Sequence, residues 1–205
     1  MKWLGRYLKG TRDKGIIYKP KHDSSFDVYM DANFAGDWNH HDCAEDNYTA
    51  RSRHGYIVMY SGCPVLWTSR LQTEVALSST ESEFIGLSDS VRTVIVLMEL
   101  IKELSQLGIP VPTTQPKLHA KIFEDNSGAL EIAKVPKMRP RTKTMYVKYH
   151  HFRDYIERGE ITICPIKLED QPADMLTKPL NEDTLDRHRS FIMGWSGKSG
   201  HEREC

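Results

Sequence analysis

The chain has 205 residues, 39% of them hydrophobic and 27% charged, which suits one soluble globular domain with a single buried core. Lys and Arg number 28 and Asp and Glu 28, for a formal net charge of zero, which excludes a molecule that grips polyanions through bulk charge alone. No apolar run approaches the roughly 20 residues of a membrane helix, and the opening MKWLGRYLKG lacks the apolar stretch of a signal peptide, so a soluble intracellular protein with no membrane partner is expected.

Residues 1 to 20 read as a short basic helix with Trp3, Leu4, Tyr7 and Leu8 at helical spacing, followed by Gly10 and a brief extended stretch. From Phe26 to Phe34 the residues alternate, with Phe26, Val28 and Met30 on one face and Asp27, Tyr29 and Asp31 on the other, which predicts a strand ending in a carboxylate. After a polar loop, Gly55 to Tyr60 and Pro64 to Ser69 read as a hairpin turning at Ser61-Gly62. Phe84, Leu87, Val91, Val94, Met98 and Ile101 recur at three- and four-residue steps, which predicts a long helix from Ser78 to Leu107, either continuous or divided in two at Ser88-Asp89-Ser90. Leu118 to Phe123 is a strand that again finishes in acid, Glu124-Asp125, and a short helix follows near Gly128 to Val135. Thr142 to Arg158 reads as a helix, Ile161 to Ile166 as the last strand, and Pro172 to Thr177 as the opening of a further helix. The order is three antiparallel strands, then helix, strand, helix, strand, helix. Strands joined through helices run parallel, so the sheet is expected to be mixed, an α/β arrangement with helices packed on it.

Four acids fall at element ends from which they can point to a common spot: Asp31 on the first strand, Glu83 in the first turn of the long helix, Asp125 after the fourth strand, and Asp174 at the start of the last helix. Phosphodiester hydrolysis needs such a cluster, because two magnesium ions about 4 Å apart activate the attacking water and stabilise the leaving oxygen. Magnesium prefers carboxylate and water oxygens, so His and Cys are not required. Each acid also has a plainer role open to it. Glu83 pairs with Thr80, or Glu81 with Ser78, as a capping box; Asp174 serves a helix dipole behind an Asp170 cap with Pro172 in the first turn; Asp31 and Asp125 form turns. Position alone does not choose. Basic residues crowd the N-terminus (Lys2 to Lys21) and the stretch Lys134 to Lys148, which includes Lys143; both stretches suit either a phosphate-tracking groove or solvated surface. Cys43, Cys63, Cys164 and Cys205 form no C-x-x-C pair, so all four are expected as thiols. Adjacent His40-His41 and His150-His151 diverge too far on a helix to bind one zinc ion together.

Several strings together resemble the ribonuclease H domain that closes the polyprotein of copia-type LTR retrotransposons. They include Tyr7-Leu8-Lys9-Gly10-Thr11, Asp31-Ala32-Asn33-Phe34-Ala35-Gly36-Asp37, Arg51-Ser52 with Gly55-Tyr56, and Trp67 through Ser69. The most specific are Ala76-Leu77-Ser78-Ser79-Thr80-Glu81-Ser82-Glu83-Phe84 and Glu169-Asp170-Gln171-Pro172-Ala173-Asp174-Met175-Leu176-Thr177-Lys178-Pro179-Leu180, with Asp125-Asn126 and Tyr149-His150 between them. The resemblance covers nearly the whole chain in order.

The resemblance implies a ribonuclease H-like fold, a five-stranded mixed sheet with three antiparallel strands first and helices on both faces. It implies a basic segment at 1–21, the ribonuclease H domain at 22–180, and a C-terminal helix and tail at 181–205. It also implies a metal-binding catalytic quartet of Asp31, Glu83, Asp125 and Asp174 that uses two Mg2+ ions, for which Mn2+ substitutes. Glu83 is preferred to Glu81 because the family pattern places an aromatic after the acid. The implied substrate is an RNA:DNA hybrid, the implied partner the reverse transcriptase region of the same polyprotein, and the implied setting a cytoplasmic virus-like particle or the nucleus. Ser79, Thr80, Asn126 and Lys143 are candidates for nucleic-acid contact, the first three as partners of 2′-hydroxyls, although capping competes for Ser79 and Thr80. Trp67, Tyr29 and Phe34 are candidates for stacking or for the core. The chain departs from the family at Thr144 and Tyr146, where His and Asp are usual, at Arg53 and His54, where small residues are, and at Asn33, often Asp. No histidine stands between Lys167 and Asp174, where cellular ribonucleases H often carry one. A catalytically silent nucleic-acid-binding domain of a decayed or host-adopted element is the alternative these departures keep open.

Overall fold

The computed structural model describes residues 2–21, 25–39, 47–111, 118–134 and 152–195. Lys143, Thr144, Tyr146 and the histidine pairs at 40–41 and 150–151 lie outside them. In chain order the elements are α1 (Lys2–Thr11), β1 (Phe26–Asn33), β2 (Arg53–Tyr60), β3 (Cys63–Leu71), α2 (Ser79–Gln106), β4 (Ala120–Glu124), α3 (Ser127–Lys134), α4 (helical over 152–157), β5 (Ile161–Pro165) and α5 (Glu182–Met193). The sheet order is β3-β2-β1-β4-β5; β1, β2 and β3 pair antiparallel, while β4 is parallel to both β1 and β5. This is the mixed five-stranded sheet expected from the sequence.

Alternation along β1 divides the core in two. Phe26, Val28 and Met30 face α2, where Phe84, Leu87, Val91, Val94 and Met98 pack against them; fully burying each such side chain contributes about 1.5–3 kcal/mol. Tyr29, Ile57 and Phe123 face the other way and are covered by Ala173, Met175, Leu176, Phe191 and Ile192. Helices therefore cover both faces. The hairpin turns at Ser61 (φ 50°) and Gly62 (φ 75°), the consecutive left-handed pair that matches the twist of two antiparallel strands.

One open alternative is decided, and one expectation is corrected. α2 runs unbroken from Ser79 to Gln106, because Asp89 and Ser90 turn their polarity to tertiary and local partners instead of breaking the helix. Ser90 Oγ donates to the Leu87 carbonyl, and the Asp89 carboxylate accepts from Arg70, Arg92 and the His54 ring. Burial works against the Asp89 charge, but the His54 and Arg70 hydrogen bonds outweigh it and hold its pKa well below the usual range. The same contact accounts for His54, a departure from the family pattern that is buried beside Asp89. The correction concerns cysteines: Cys63 is a buried thiol, but Cys164 of β5 is disulfide-bonded. Sequence spacing does not report a bridge that depends on how closely the fold brings two Cβ atoms.

Gly55 stands opposite Asp31 on β1 and Ser69 on β3. A Cβ there would lie 2.5 Å from Leu176 Cβ, in the short turn packed on the sheet. Gly55→Ala should cost about 1–3 kcal/mol by overpacking, read by urea denaturation; a variant as stable as the parent would show that this turn is not seated against β2.

Candidate active site

Three elements end at the same edge of the sheet. β1 carries Asp31 near its C-terminal end, buried and on the Tyr29 side. β4 ends at Glu124, with Asp125 directly after it. The third contributor is a 3-10 helix, Pro172–Leu176, where an α-helix was expected. It is capped by Gln171, whose side chain accepts from the Ala173 N–H, and not by Asp170. Gln171 is fully buried and also donates to the carbonyls of Met30 (2.8 Å) and Phe123 (3.4 Å). One glutamine thus ties the turn that bears Asp174 to β1 and β4.

Asp31, Asp125 and Asp174 each present a carboxylate oxygen within 4.8 Å of the others'. A second group, Glu83, Glu124 and Asp125, meets the same limit. Asp125 is common to both. Glu83 comes from the second turn of α2, which is capped by Ser78: its side chain accepts the Glu81 N–H, while Glu81 accepts the Leu77 N–H. The cap thus occupies Glu81 and leaves Glu83 to the acidic cluster. All four expected site acids are brought to one region of the fold, in two overlapping groups.

Glu124 was missed. It has the strand parity of Ala120 and Ile122, which belong to the α2-side core, so it is an acid on the core-facing side of a buried strand. That pattern is legible in AKIFE, but a strand-end acid also reads as a turn residue.

The carboxylates crowd one another in a poorly solvated place, and their proton affinities rise. Burial first, then the charges of Glu124, Asp31 and Asp125, push the pKa of Glu83 up to about 11, against a backbone hydrogen bond from Ala32. Burial, with Asp125 and Asp31 beside it, raises Glu124 well above the carboxylate range despite the Asn126 N–H. Asp174 is raised to about 6 by burial and Asp31, although Lys178 opposes this, and burial also raises Asp125. Burial works against the Lys178 charge, but Asp31, Asp174 and Asp125 outweigh it and raise its pKa. Lys178 Nζ lies 2.9 Å from Asp174 Oδ1 and 3.6 Å from Asp31 Oδ1, and the Thr177 hydroxyl donates to Asp31 Oδ2. Glu83 Oε2 and Glu124 Oε2 are buried and have no hydrogen-bond partner. Orphaned, hard oxygen atoms in such a group fit a divalent cation of the magnesium type.

The candidate nucleic-acid contacts divide. Asn126 Oδ1 accepts the Ala129 N–H and so caps α3. Ser79 is exposed at the start of α2, and Thr80 lies beside Gly128, at the start of α3. Among the aromatics, Tyr29 is core, stacked on Phe123, whereas Trp67 and Phe34 are exposed by 55% and 41%.

No family model matches the chain. Among curated proteins it is 33% identical over 192 residues, 94% of its length, to the retrovirus-related Pol polyprotein from transposon RE1 of Arabidopsis thaliana, covering 12% of that protein. It is 34% identical over 181 residues, 88% of its length, to the corresponding polyprotein from transposon RE2 of the same plant, covering 11%. It is 31% identical over 195 residues, 94% of its length, to that from transposon TNT 1-94 of Nicotiana tabacum, covering 13%. The chain spans about an eighth of the length of these relatives. Among solved structures it is similar to LC11-RNase H1, isolated from compost by a metagenomic approach, with a TM-score of 0.52 at 12% identity over 80% of this chain and 98% of that one. The chain is thus homologous to one segment of the Pol polyproteins of copia-type retrotransposons, and it folds as a ribonuclease H-like domain.

Proposed function

We propose that this domain is a metal-dependent endoribonuclease that hydrolyses the RNA strand of RNA:DNA hybrids. The observation that carries the reading is the convergence of Asp31, Glu83, Asp125 and Asp174 into two acidic groups that share Asp125. Two magnesium ions, for which manganese can substitute, would supply water activation and charge neutralisation at the leaving oxygen. Asp31, Asp125 and Asp174 would hold one and Glu83 with Asp125 the other. The Thr177 hydroxyl orients the Asp31 carboxylate, and Gln171 keeps Asp174 in register with β1 and β4. Glu83 also orients the 2′-hydroxyl, with Ser79, Thr80, Asn126 and Lys143 as further contacts to the hybrid. The polyprotein context supports the reverse transcriptase region as partner and reverse transcription, in a cytoplasmic virus-like particle or the nucleus, as the setting.

One observation favours a second reading, a catalytically silent nucleic-acid-binding domain: Lys178 already neutralises Asp31 and Asp174. A labelled hybrid separates the two. Magnesium-dependent cutting supports the nuclease, and retention of the uncut hybrid supports the silent domain. For the nuclease, Asp31→Asn and Asp125→Asn should each lower the rate by about 1000-fold or more, equivalent to about 4 kcal/mol in the barrier, with an unchanged circular dichroism spectrum. Parent-like cutting by either purified variant would overturn the assignment.

The raised carboxyl pKa values also set a pH dependence. The native, metal-free protein keeps protons on Glu83 (pKa about 11) and Asp174 (about 6) that the unfolded chain releases near 4 to 4.5. Native protein then binds more protons than unfolded, so this part of the stability is full below the ordinary carboxylate range and is lost as pH rises, first through the Asp174 value and then towards that of Glu83. Metal-free Tm should fall between about pH 5 and 8, and added Mg2+ should raise Tm more at about pH 8 than at 5, because ions compete with protons for the same oxygens. A metal effect larger at the acid end would contradict this linkage.

A further inference from the structure

The four matched acids leave out the most buried carboxylate at the site. Glu124 is fully buried at the end of β4, on the α2 side of the sheet where Glu83 descends. Its Oε1 accepts the Asn126 N–H at 3.0 Å. Its Oε2 has no partner, nor has Oε2 of Glu83, and among the described residues no Lys, Arg or His forms an ion pair with either side chain. One oxygen from each of Glu83, Glu124 and Asp125 lies within 4.8 Å of the other two.

Two neighbouring buried carboxylates, each with an oxygen left without a donor, are unfavourable in a protein interior unless something positive lies between them. Asp31, Asp125 and Asp174 already have Lys178 beside them, whereas among the described residues the Glu83 and Glu124 side has no such cation. Resting on the hydrolytic reading above, we propose that Glu124 is a fifth carboxylate of the site, which with Glu83 and Asp125 holds one divalent cation on the α2 side of the sheet, while Asp31, Asp125 and Asp174 hold the other. All the donors are hard carboxylate oxygens, the ligand type that magnesium and manganese take. Asp125, just past the strand end, is within reach of both groups.

Glu124→Gln separates ligation from a purely structural role, because its amide oxygen still accepts the Asn126 N–H. Calorimetric titration of the whole chain with MnCl2 should show two ions in the parent. In Glu124→Gln one ion should bind as in the parent and the other weaken by about tenfold or more, while Glu81→Gln, which alters only the α2 cap, should keep both. The parent alone supplies a second readout, should the amide variant fail to fold. With carbon-13 at the glutamate carboxyl carbons, electron-nuclear double resonance of bound Mn2+ should show two coupled glutamates, and a single one would overturn the proposal. So would two ions of parental affinity in Glu124→Gln, or a parent that binds no Mn2+. Two-ion binding without hybrid cleavage would remove the hydrolytic reading and leave Glu124 as a ligand; hybrid cleavage with unaltered ion binding in Glu124→Gln would do the reverse.

Discussion

Five acids forced together at one edge of a sheet are the constraint on which this structure turns. Like charges a few ångströms apart in a poorly solvated place repel strongly, so the fold must supply enough rigidity elsewhere to hold them. It does so by drawing the five acids from four elements: Asp31 from the end of one strand, Glu83 from the start of a helix, Glu124 and Asp125 from the end of a second strand, and Asp174 from a tight turn. Each element is anchored by apolar packing of its own, so none depends on the acidic cluster for its position.

The turn bearing Asp174 shows how much small groups contribute. Gln171 bridges two strands through backbone carbonyls, and the Ser69 hydroxyl donates to the Leu176 carbonyl. Asn33 Nδ2 reaches the Thr177 carbonyl, and Gly55 leaves room for Leu176. The Gln171 and Asn33 bonds are buried or partly buried, and the loss of such polar bonds costs more than their formation contributes. They explain why a five-residue 3-10 helix, too short to be stable alone, sits in one place. Lys178, at the end of this segment, adds the only cation paired with the cluster among the described residues. The same segment therefore supplies both a carboxylate and its counter-charge.

The sequence legibly carried the strands and the long helix, because alternation in Phe26 to Asp31 and three- and four-residue steps from Phe84 to Ile101 report directly on which side is buried. It carried the choice of Glu83 over Glu81 only through resemblance; the structure supplies the physical reason, with Glu81 spent on the Ser78 cap. Local chemistry fell short in two places. Ser88-Asp89-Ser90 leaves a break in the long helix open but is held inside α2 by Asp89's partners on β2 and β3. Asp170 reads as the cap before Pro172, but Gln171 is the cap, and its two strand contacts come from residues 141 and 48 positions away.

By itself the sequence determined the order and type of the main elements, the mixed sheet, and the acids that close them, since periodicity and turn chemistry act over a few neighbouring residues. Only the tertiary structure decided which acids share a site, that Glu124 is among them, that Lys178 lies between Asp31 and Asp174, and that Cys164 is bridged. Those facts depend on distances between segments remote in the chain, and such distances are set by packing of the whole core, to which no local pattern is sensitive.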